Sequence, residues 1–315
     1  MKDSHIYDFR LDVDIPERID KLLSLYLPEY SRSTIQKWIN NKDILINGKP
    51  CSQKDKISES CDVSINVRTK PSINLIPENI EIDIIDETDD YIVVNKRSGV
   101  VTHIAPGNYT GTLQNGLYFK YPELSEVPRT GIIHRLDKDT SGLLVVCRNL
   151  ASHNYLSKQL HEKKFTKIYH ALVTRCIDKP IVVEEPIGRH PVNRKKMSIQ
   201  SNGRQAISKI KPLTKFKRAS HVEVELITGR THQIRVHLSH LNNPVIGDTT
   251  YGYKKTFFTK NLNLTKTIDP LFLQYLHSYS LSFNDPKTKK LKNYTAVYPK
   301  EYSLLLNELI RENND

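Results

Sequence analysis

The residues best suited to do chemistry lie in a polar loop that leads into an apolar segment. Residues 134–146 read HRLDKDTSGLLVV, so a carboxylate, Asp137, follows an arginine by two positions and precedes a Thr-Ser-Gly turn. Loops held by a rigid strand often carry catalytic groups. A single acid in a loop is also a common turn former, and Asp139 suits that role better. The pattern therefore makes Asp137 the candidate catalytic carboxylate.

Composition limits the partners that the chain can have. Lys and Arg outnumber Asp and Glu by 47 to 35, a net charge of +12 over 315 residues, which favours nucleic acid or anionic lipid. No stretch approaches the roughly 20 apolar residues that span a bilayer, and no apolar leader is apparent. We therefore expect a cytoplasmic protein without a membrane partner. The cysteines lack C-x-x-C pairing and are expected to be reduced: Cys51, Cys61, Cys147 and Cys176.

The segment 15–68 has the pattern of a small module of two helices and a hairpin. Apolar residues recur at helical spacing over residues 19–26, and a second helix is expected after an N-cap at Ser31 or Ser33. An Asn-Gly pair at residues 47–48 predicts a hairpin turn.

A linker is indicated at residues 69–78, which carry two prolines and no periodicity, and a larger domain is expected over 79–315. Strand-like segments dominate this domain, at 82–85, 91–95, 143–147, 167–173, 208–212, 221–226 and 276–283. Helices are expected at 152–163 and 232–241. Many strands with few helices predict an α+β fold, in which a mixed, largely antiparallel sheet is flanked by helices and loops.

Four motifs resemble the ribosomal large-subunit pseudouridine synthase family in order and spacing. Besides residues 134–146, they are 165–173 (FTKIYHALV), 228–237 (TGRTHQIRVH) and 243–248 (NPVIGD). Two further stretches, 126–131 and 185–191, are similar to the D-type branch of the family, and the segment 15–68 resembles the S4 RNA-binding domain. The resemblance implies that uridines of 23S rRNA, free or in the assembling large subunit, are isomerised to pseudouridine without a cofactor. We also expect a monomer.

The resemblance implies catalytic roles for three residues. Asp137 corresponds to the nucleophile, Arg235 to the arginine that pairs with it, and Tyr169 to an aromatic residue that stacks on the extruded uracil and accepts a proton at C5. Burial disfavours a charged carboxyl group and a neighbouring guanidinium favours it, so the pairing suits a buried nucleophile. Without the resemblance, Arg235 is also consistent with an exposed helix arginine and Tyr169 with a core residue.

Further residues are implied to contact the RNA. Arg135 is expected to enter the RNA near the extruded uridine and to replace lost stacking, although it also suits a phosphate clamp. His134 is expected to bind the substrate, and Leu238 to help form the pocket wall. RNA contacts outside this pocket are predicted at Arg18, Arg32, Lys37, Arg189 and Arg194. Arg32 and Lys37 are expected near the start of the second helix, where free N–H groups and the helix dipole favour phosphate. The alternative is a solvated helix face.

Some features fit less well, and two alternatives stay open. The family's Asn-Lys-Pro-x-Gly is NKRSG at residues 95–99, where we expect a local loop change without loss of activity. His232, His237 and His240 have no acidic third ligand at a typical spacing, so no metal is predicted. The alternatives are the same reaction on another RNA such as tRNA, and a non-enzymatic ribosome-assembly factor that binds RNA.

Overall fold

The chain forms two compact units in the computed structural model, Met1–Asn74 and Leu75–Asp315. The structure describes residues 4–13, 15–27, 30, 32–68, 75–105, 107–258, 264, 266 and 274–314. Most of the predicted linker, residues 69–74, lies outside the described residues, as does the predicted helix cap Ser31.

The first unit is a small antiparallel sheet packed against two helices. Its elements are β1 Ser4–Leu11, β2 Glu17–Arg18, α1 Ile19–Tyr26, α2 Arg32–Asn40, β3 Ile44–Ile46, β4 Lys49–Pro50, β5 Lys56–Ile57 and β6 Cys61–Arg68. The sheet order is β1-β6-β3-β4, and β2 pairs with β5. The predicted hairpin turn is present, because Asn47 and Gly48 both have positive φ, 48° and 75°, as a two-residue hairpin requires. Strand β1 precedes the predicted start of the module at residue 15 and pairs with β6 along its whole length.

The second unit is built on one large sheet. Its strands are β7 Asp83–Glu87, β8 Tyr91–Lys96, β9 Ser141–Cys147, β10 Thr166–Thr174, β11 Ile181–Val183, β12 Ile187–Arg189, β13 Met197–Ile199, β14 Ser208–Lys215, β15 Ala219–Leu226, β16 Leu276–Asn284 and β17 Leu291–Thr295. The order is β11-β14-β15-β10-β16-β9-β8-β7, with β17 beside β16 and a separate β12–β13 hairpin. The β9–β16 pair is parallel, and the other pairs of this sheet are antiparallel. The predicted α+β fold on a mixed, largely antiparallel sheet is confirmed.

Helices cover both faces of this sheet. They are α3 Leu113–Lys120, α4 Leu150–His161, α5 Gln233–His240 and α6 Lys300–Asn314. Strand β10 alternates between two cores: Ala171 and Val173 pack with α3 and α5, whereas Leu172 packs with α6. Both faces of β10 are therefore buried from Tyr169 to Thr174, whereas its first three residues are exposed or half-buried. No helix in the part of the chain that the structure describes is long and apolar enough to cross a membrane.

Candidate active site

The candidate nucleophile lies at the mouth of a pocket on the second unit. Asp137 is carried by the loop that enters β9, and its carbonyl accepts a hydrogen bond from the Thr140 amide (3.2 Å), which closes a turn. Its side chain is 22% exposed. The Oδ2 atom accepts a hydrogen bond from Nη1 of Arg235 at 2.9 Å, across 98 residues of sequence. The structure thus brings the two predicted partners together.

Arg235 lies between two carboxylates. Besides the bond to Asp137, its Nε and Nη2 donate to the two carboxylate oxygens of Asp248, at 2.6 and 3.1 Å. Burial opposes the charge, but the hydrogen bonds and charges of Asp248 and Asp137 prevail and raise the pKa of Arg235. Only 6% of Arg235 is exposed, so the sequence-based alternative of an exposed helix arginine is wrong. Two carboxylates on one guanidinium fix its orientation.

The start of α5 explains how Arg235 reaches the site. His232 has a left-handed backbone (φ 56°) just before the helix. Gln233 is buried, and its Oε1 accepts hydrogen bonds from the Thr228 hydroxyl (2.7 Å) and from the Arg230 amide (3.0 Å). These bonds tie the preceding loop to the first turn of α5. Arg235 is two residues further along the same helix turn, so these bonds fix its position beside Asp137.

Tyr251 connects several parts of the site and was not among the residues predicted from the sequence. Its ring lies 4.7 Å from the guanidinium carbon of Arg235, within the range of a cation–π contact. Its hydroxyl accepts from the Met197 amide (2.8 Å) and is 2.7 Å from Nδ1 of His232. His232 in turn brings Nε2 to 3.9 Å from Asp137. The signal available in the sequence was only its position three residues after the NPVIGD motif.

Tyr169 lines the same pocket from β10. It is 6% exposed, and burial raises the pKa of Tyr169 to about 12, with Ser278 opposing and the charge of Asp137 adding to that shift. The hydroxyl is therefore protonated near neutral pH. The rest of the pocket wall mixes apolar and polar groups: Arg135, Leu136, Thr140, Leu226, Gly229, Arg230, Thr231, His232, Gln233, Ile234 and Leu276.

Of the three residues predicted to bind the extruded uridine, Arg135 lies at the pocket, whereas the side chains of His134 and Leu238 have other contacts. Arg135 is exposed at the pocket, where its Nη2 donates to the hydroxyl of Thr231 at 3.0 Å. His134 instead accepts a hydrogen bond from the Val145 amide (3.0 Å), and burial together with the charge of Lys167 lowers the pKa of His134 to about 3. Leu238 is fully buried in the core behind Ile234, so side chains nearer the start of α5 form the pocket wall.

A buried lysine supports the loop that carries Asp137. Lys96 is 2% exposed, and its Nζ donates to the backbone carbonyls of Arg97, Val100 and Lys138 at 2.8–2.9 Å. Burial lowers the pKa of Lys96 to about 7, while Asp139 and Asp137 oppose this shift. Three acceptors use all three N–H bonds of a charged ammonium group. The carbonyl next to Asp137 is thereby attached to the end of β8.

Two of the three predicted RNA-binding residues of the first unit, Arg18 and Arg32, bind an internal carboxylate. Asp20 is fully buried and accepts hydrogen bonds from Arg18, Arg32 and Gln36 at 2.7–3.1 Å. Burial opposes its charge, but bonds from Gln36, Arg32 and Arg18 lower the pKa of Asp20 to about 2. Arg32 is the first residue of α2, as expected. Lys37 is exposed but lies in the last turn of α2, so the prediction that it is near the helix start is wrong, because the helix is only nine residues long.

The other two predicted RNA contacts lie on the β12–β13 hairpin. Nη1 of Arg189 donates to the carbonyl of Arg194 at 2.8 Å, and both side chains are exposed. The hairpin rests on the site through Met197, whose amide binds Tyr251, and through Lys196, whose Nζ donates to the Thr250 carbonyl at 2.6 Å.

Comparison with known proteins agrees with this geometry. Residues 90–240 match the family model described as RNA pseudouridylate synthase, and residues 17–63 match the S4 domain. The "Ribosomal large subunit pseudouridine synthase D" of Neisseria meningitidis serogroup B is 40% identical over 295 residues, which cover 93% of this chain and 78% of the relative. The chain therefore belongs to the RNA pseudouridylate synthase family.

Two further relatives agree with this family. A protein of the same name from Pseudomonas aeruginosa is 34% identical over 300 residues, 95% of this chain and 93% of the relative. Among solved structures, human RNA pseudouridylate synthase domain containing 1 superimposes with a TM-score of 0.55 at 27% identity, covering 75% of this chain and 88% of that protein.

Proposed function

We propose that the protein isomerises uridines of 23S rRNA to pseudouridine, with Asp137 as the nucleophile. The observation that carries the proposal is the contact of the half-buried Asp137 with the buried Arg235–Asp248 pair, at a pocket that Tyr169 also lines. The names of the Neisseria and Pseudomonas relatives support the ribosomal large subunit as the source of the substrate RNA.

The reaction breaks the bond between uracil N1 and ribose C1′ and forms a bond between C5 and C1′. The proton at C5 leaves and N1 gains one, so the product is an isomer of the substrate. A carboxylate can form a covalent adduct and later leave, which keeps the base and the sugar in one pocket while the ring turns. Arg235 orients Asp137 toward the pocket and balances its charge, and Tyr169 offers a face on which the extruded uracil can stack.

The proposal is tested with full-length protein and a 23S rRNA transcript labelled with tritium at uridine C5. Because the C5 proton leaves, tritium release measures turnover directly. Asp137→Asn should release no tritium above background while it still binds the transcript. Asp139→Asn makes the same chemical change two residues away and should retain turnover.

The outcomes discriminate between the candidate functions. Turnover by Asp137→Asn would remove the nucleophile assignment. Wild-type protein that binds 23S rRNA without tritium release would indicate a non-catalytic assembly factor. Turnover on tRNA but not on 23S rRNA would keep the chemistry and replace the substrate.

A further inference from the structure

A second pocket adjoins the candidate active site. It encloses about 410 Å³ and shares Arg135, Tyr169, Leu226 and Gly229 with the site described above. Its other lining residues are Arg129, Ile133, His134, Leu160, His161 and Lys167. The lining therefore contains two arginines and a lysine but no aspartate or glutamate.

Two cations that line this pocket, Arg129 and Lys167, differ from Arg235 in their partners. Among the residues that the structure describes, neither Arg129 nor Lys167 has an ion pair or a side-chain hydrogen bond, in contrast to Arg235. Burial, and secondarily the charge of Arg135, lowers the pKa of Arg129, and burial lowers the pKa of Lys167. Cations thus line one cavity whose lining has no carboxylate, and an anion bound there would offset both their burial and the repulsion between Arg129 and Arg135.

The backbone that carries Arg129 is fixed in an unusual conformation. Arg129 and Thr130 both have left-handed angles (φ 56° and 55°), which residues with a Cβ rarely adopt. Neighbours hold this turn in place: Gln114 donates to the Thr130 hydroxyl at 3.0 Å, and a Cβ on Gly131 would lie only 2.0 Å from the Cys147 carbonyl oxygen. Such strained residues persist where the surroundings fix them, and they cluster at functional sites.

The position of Lys167 indicates which anion would bind. Lys167 and Tyr169 are two residues apart on β10, on either side of an irregularity between Ile168 and Tyr169, and both line this pocket. If uracil stacks on Tyr169, the group that reaches Lys167 belongs to the backbone of the same or the adjacent nucleotide. In RNA the anionic group of the backbone is the phosphodiester.

We propose that Arg129 and Lys167 form a binding site for the RNA phosphodiester next to the extruded uridine. The inference rests on the proposed function and adds to it the atoms by which the strand beside the target is held. Arg135 lies between this site and the uracil pocket, so the two sites bind neighbouring parts of one nucleotide strand.

The test compares two double variants of the full-length chain. Arg129→Gln with Lys167→Gln removes the proposed site. Arg218→Gln with Lys217→Gln removes one arginine and one lysine at the exposed β14–β15 turn and is the matched control. Binding to the 23S rRNA transcript is measured at several KCl concentrations, and tritium release gives kcat and KM.

The site variant should reduce the slope of log affinity against log salt by about one, because one phosphodiester contact is lost, and the control should leave it unchanged. KM should rise roughly tenfold or more with kcat retained, because the contact is made equally in ground and transition states. Lys167→Arg keeps the positive charge and should therefore avoid most of the rise in KM that Lys167→Gln causes. A structural role would lower the thermal midpoint but not the salt slope.

Equal slopes and equal KM for the two double variants would overturn the phosphate site while the proposed function stands, provided that the wild type releases tritium from 23S rRNA. Absence of wild-type turnover would instead reject the proposed function. A final arm replaces part of the KCl by inorganic phosphate at constant ionic strength. Phosphate as the recognised group is supported if added phosphate weakens RNA binding by the wild type but not by the site variant. It is contradicted if the wild type and the site variant lose affinity to the same extent.

Discussion

The arrangement of Arg235 between Asp137 and Asp248 predicts that charge balance and catalysis can be separated by mutation. Arg235→Gln leaves Asp248, whose side chain is 1% exposed, without its cation. Removing one partner of a buried ion pair typically costs about 3–5 kcal/mol of unfolding free energy. A second change, Asp248→Asn, removes the stranded charge and places two amides where the ion pair was.

We expect the double variant Arg235→Gln with Asp248→Asn to regain at least about 2 kcal/mol of the loss, because the remaining buried groups are neutral and can bond to each other. Turnover should not return, since Asp137 has lost a charge-assisted hydrogen bond worth about 1.5–3 kcal/mol, or roughly 10- to 100-fold in rate. Urea unfolding measures the stability and tritium release measures the rate.

Arg218→Gln, at an exposed turn, controls for the loss of one arginine. Wild-type turnover by Arg235→Gln would refute the view that this guanidinium positions the nucleophile. Recovery of turnover in the double variant would show that the single variant fails only through misfolding.

Three further predictions concern other groups. Because Tyr169 can accept the C5 proton only as a phenolate and its pKa is about 12, wild-type kcat should rise between pH 7 and 9, and Tyr169→Phe should remove both that rise and most of the turnover; a flat wild-type profile would exclude this base. Burial lowers the pKa of His277 from 6.5 to about 4, so the unfolded chain takes up the proton first as the pH falls. About 3 kcal/mol of unfolding free energy, present above pH 6.5, should therefore be lost as the pH falls to 4. In His277→Gln, the unfolding free energy measured with urea should vary less over this range. Asp20→Asn should destabilise the first unit by about 2 kcal/mol at pH 7, because the pKa of Asp20 is lowered to about 2. The stabilisation by the Asp20 carboxylate is lost as the pH falls from about 4 to 2. An unchanged unfolding midpoint in the variant at pH 7 would contradict this prediction.

The sequence was most informative where periodicity and turn chemistry agree. The strands at 143–147 and 167–173 lie within β9 and β10, and the Asn-Gly turn has the backbone that its residues favour. Helix α3 was not predicted, because its sequence LQNGLYFK places Asn and Gly in the interior; a capping box between Thr112 and Asn115 and the burial of Leu117 stabilise it instead.

Within the site, sequence motifs indicated residues but not their partners. Arg235 and Asp137 could be paired only through the family resemblance, since 98 residues separate them. The second carboxylate, Asp248, stood in a recognised motif without an assigned role, and Tyr251 lay outside every motif. Long-range contacts of this kind depend on how the sheet brings loops together, and spacing along one chain does not encode that.

The ammonium group of Lys96 has a consequence for observing the enzyme. The family's proline is absent at Arg97. The Lys96 amine donates two hydrogen bonds to the turn that follows β8, at Arg97 and Val100, and one to the nucleophile loop, at Lys138. An amine that is 2% exposed cannot react with an acylating reagent until those bonds break. The rate at which Lys96 becomes labelled therefore reports how often the loop opens, and RNA that closes over the pocket should slow the labelling.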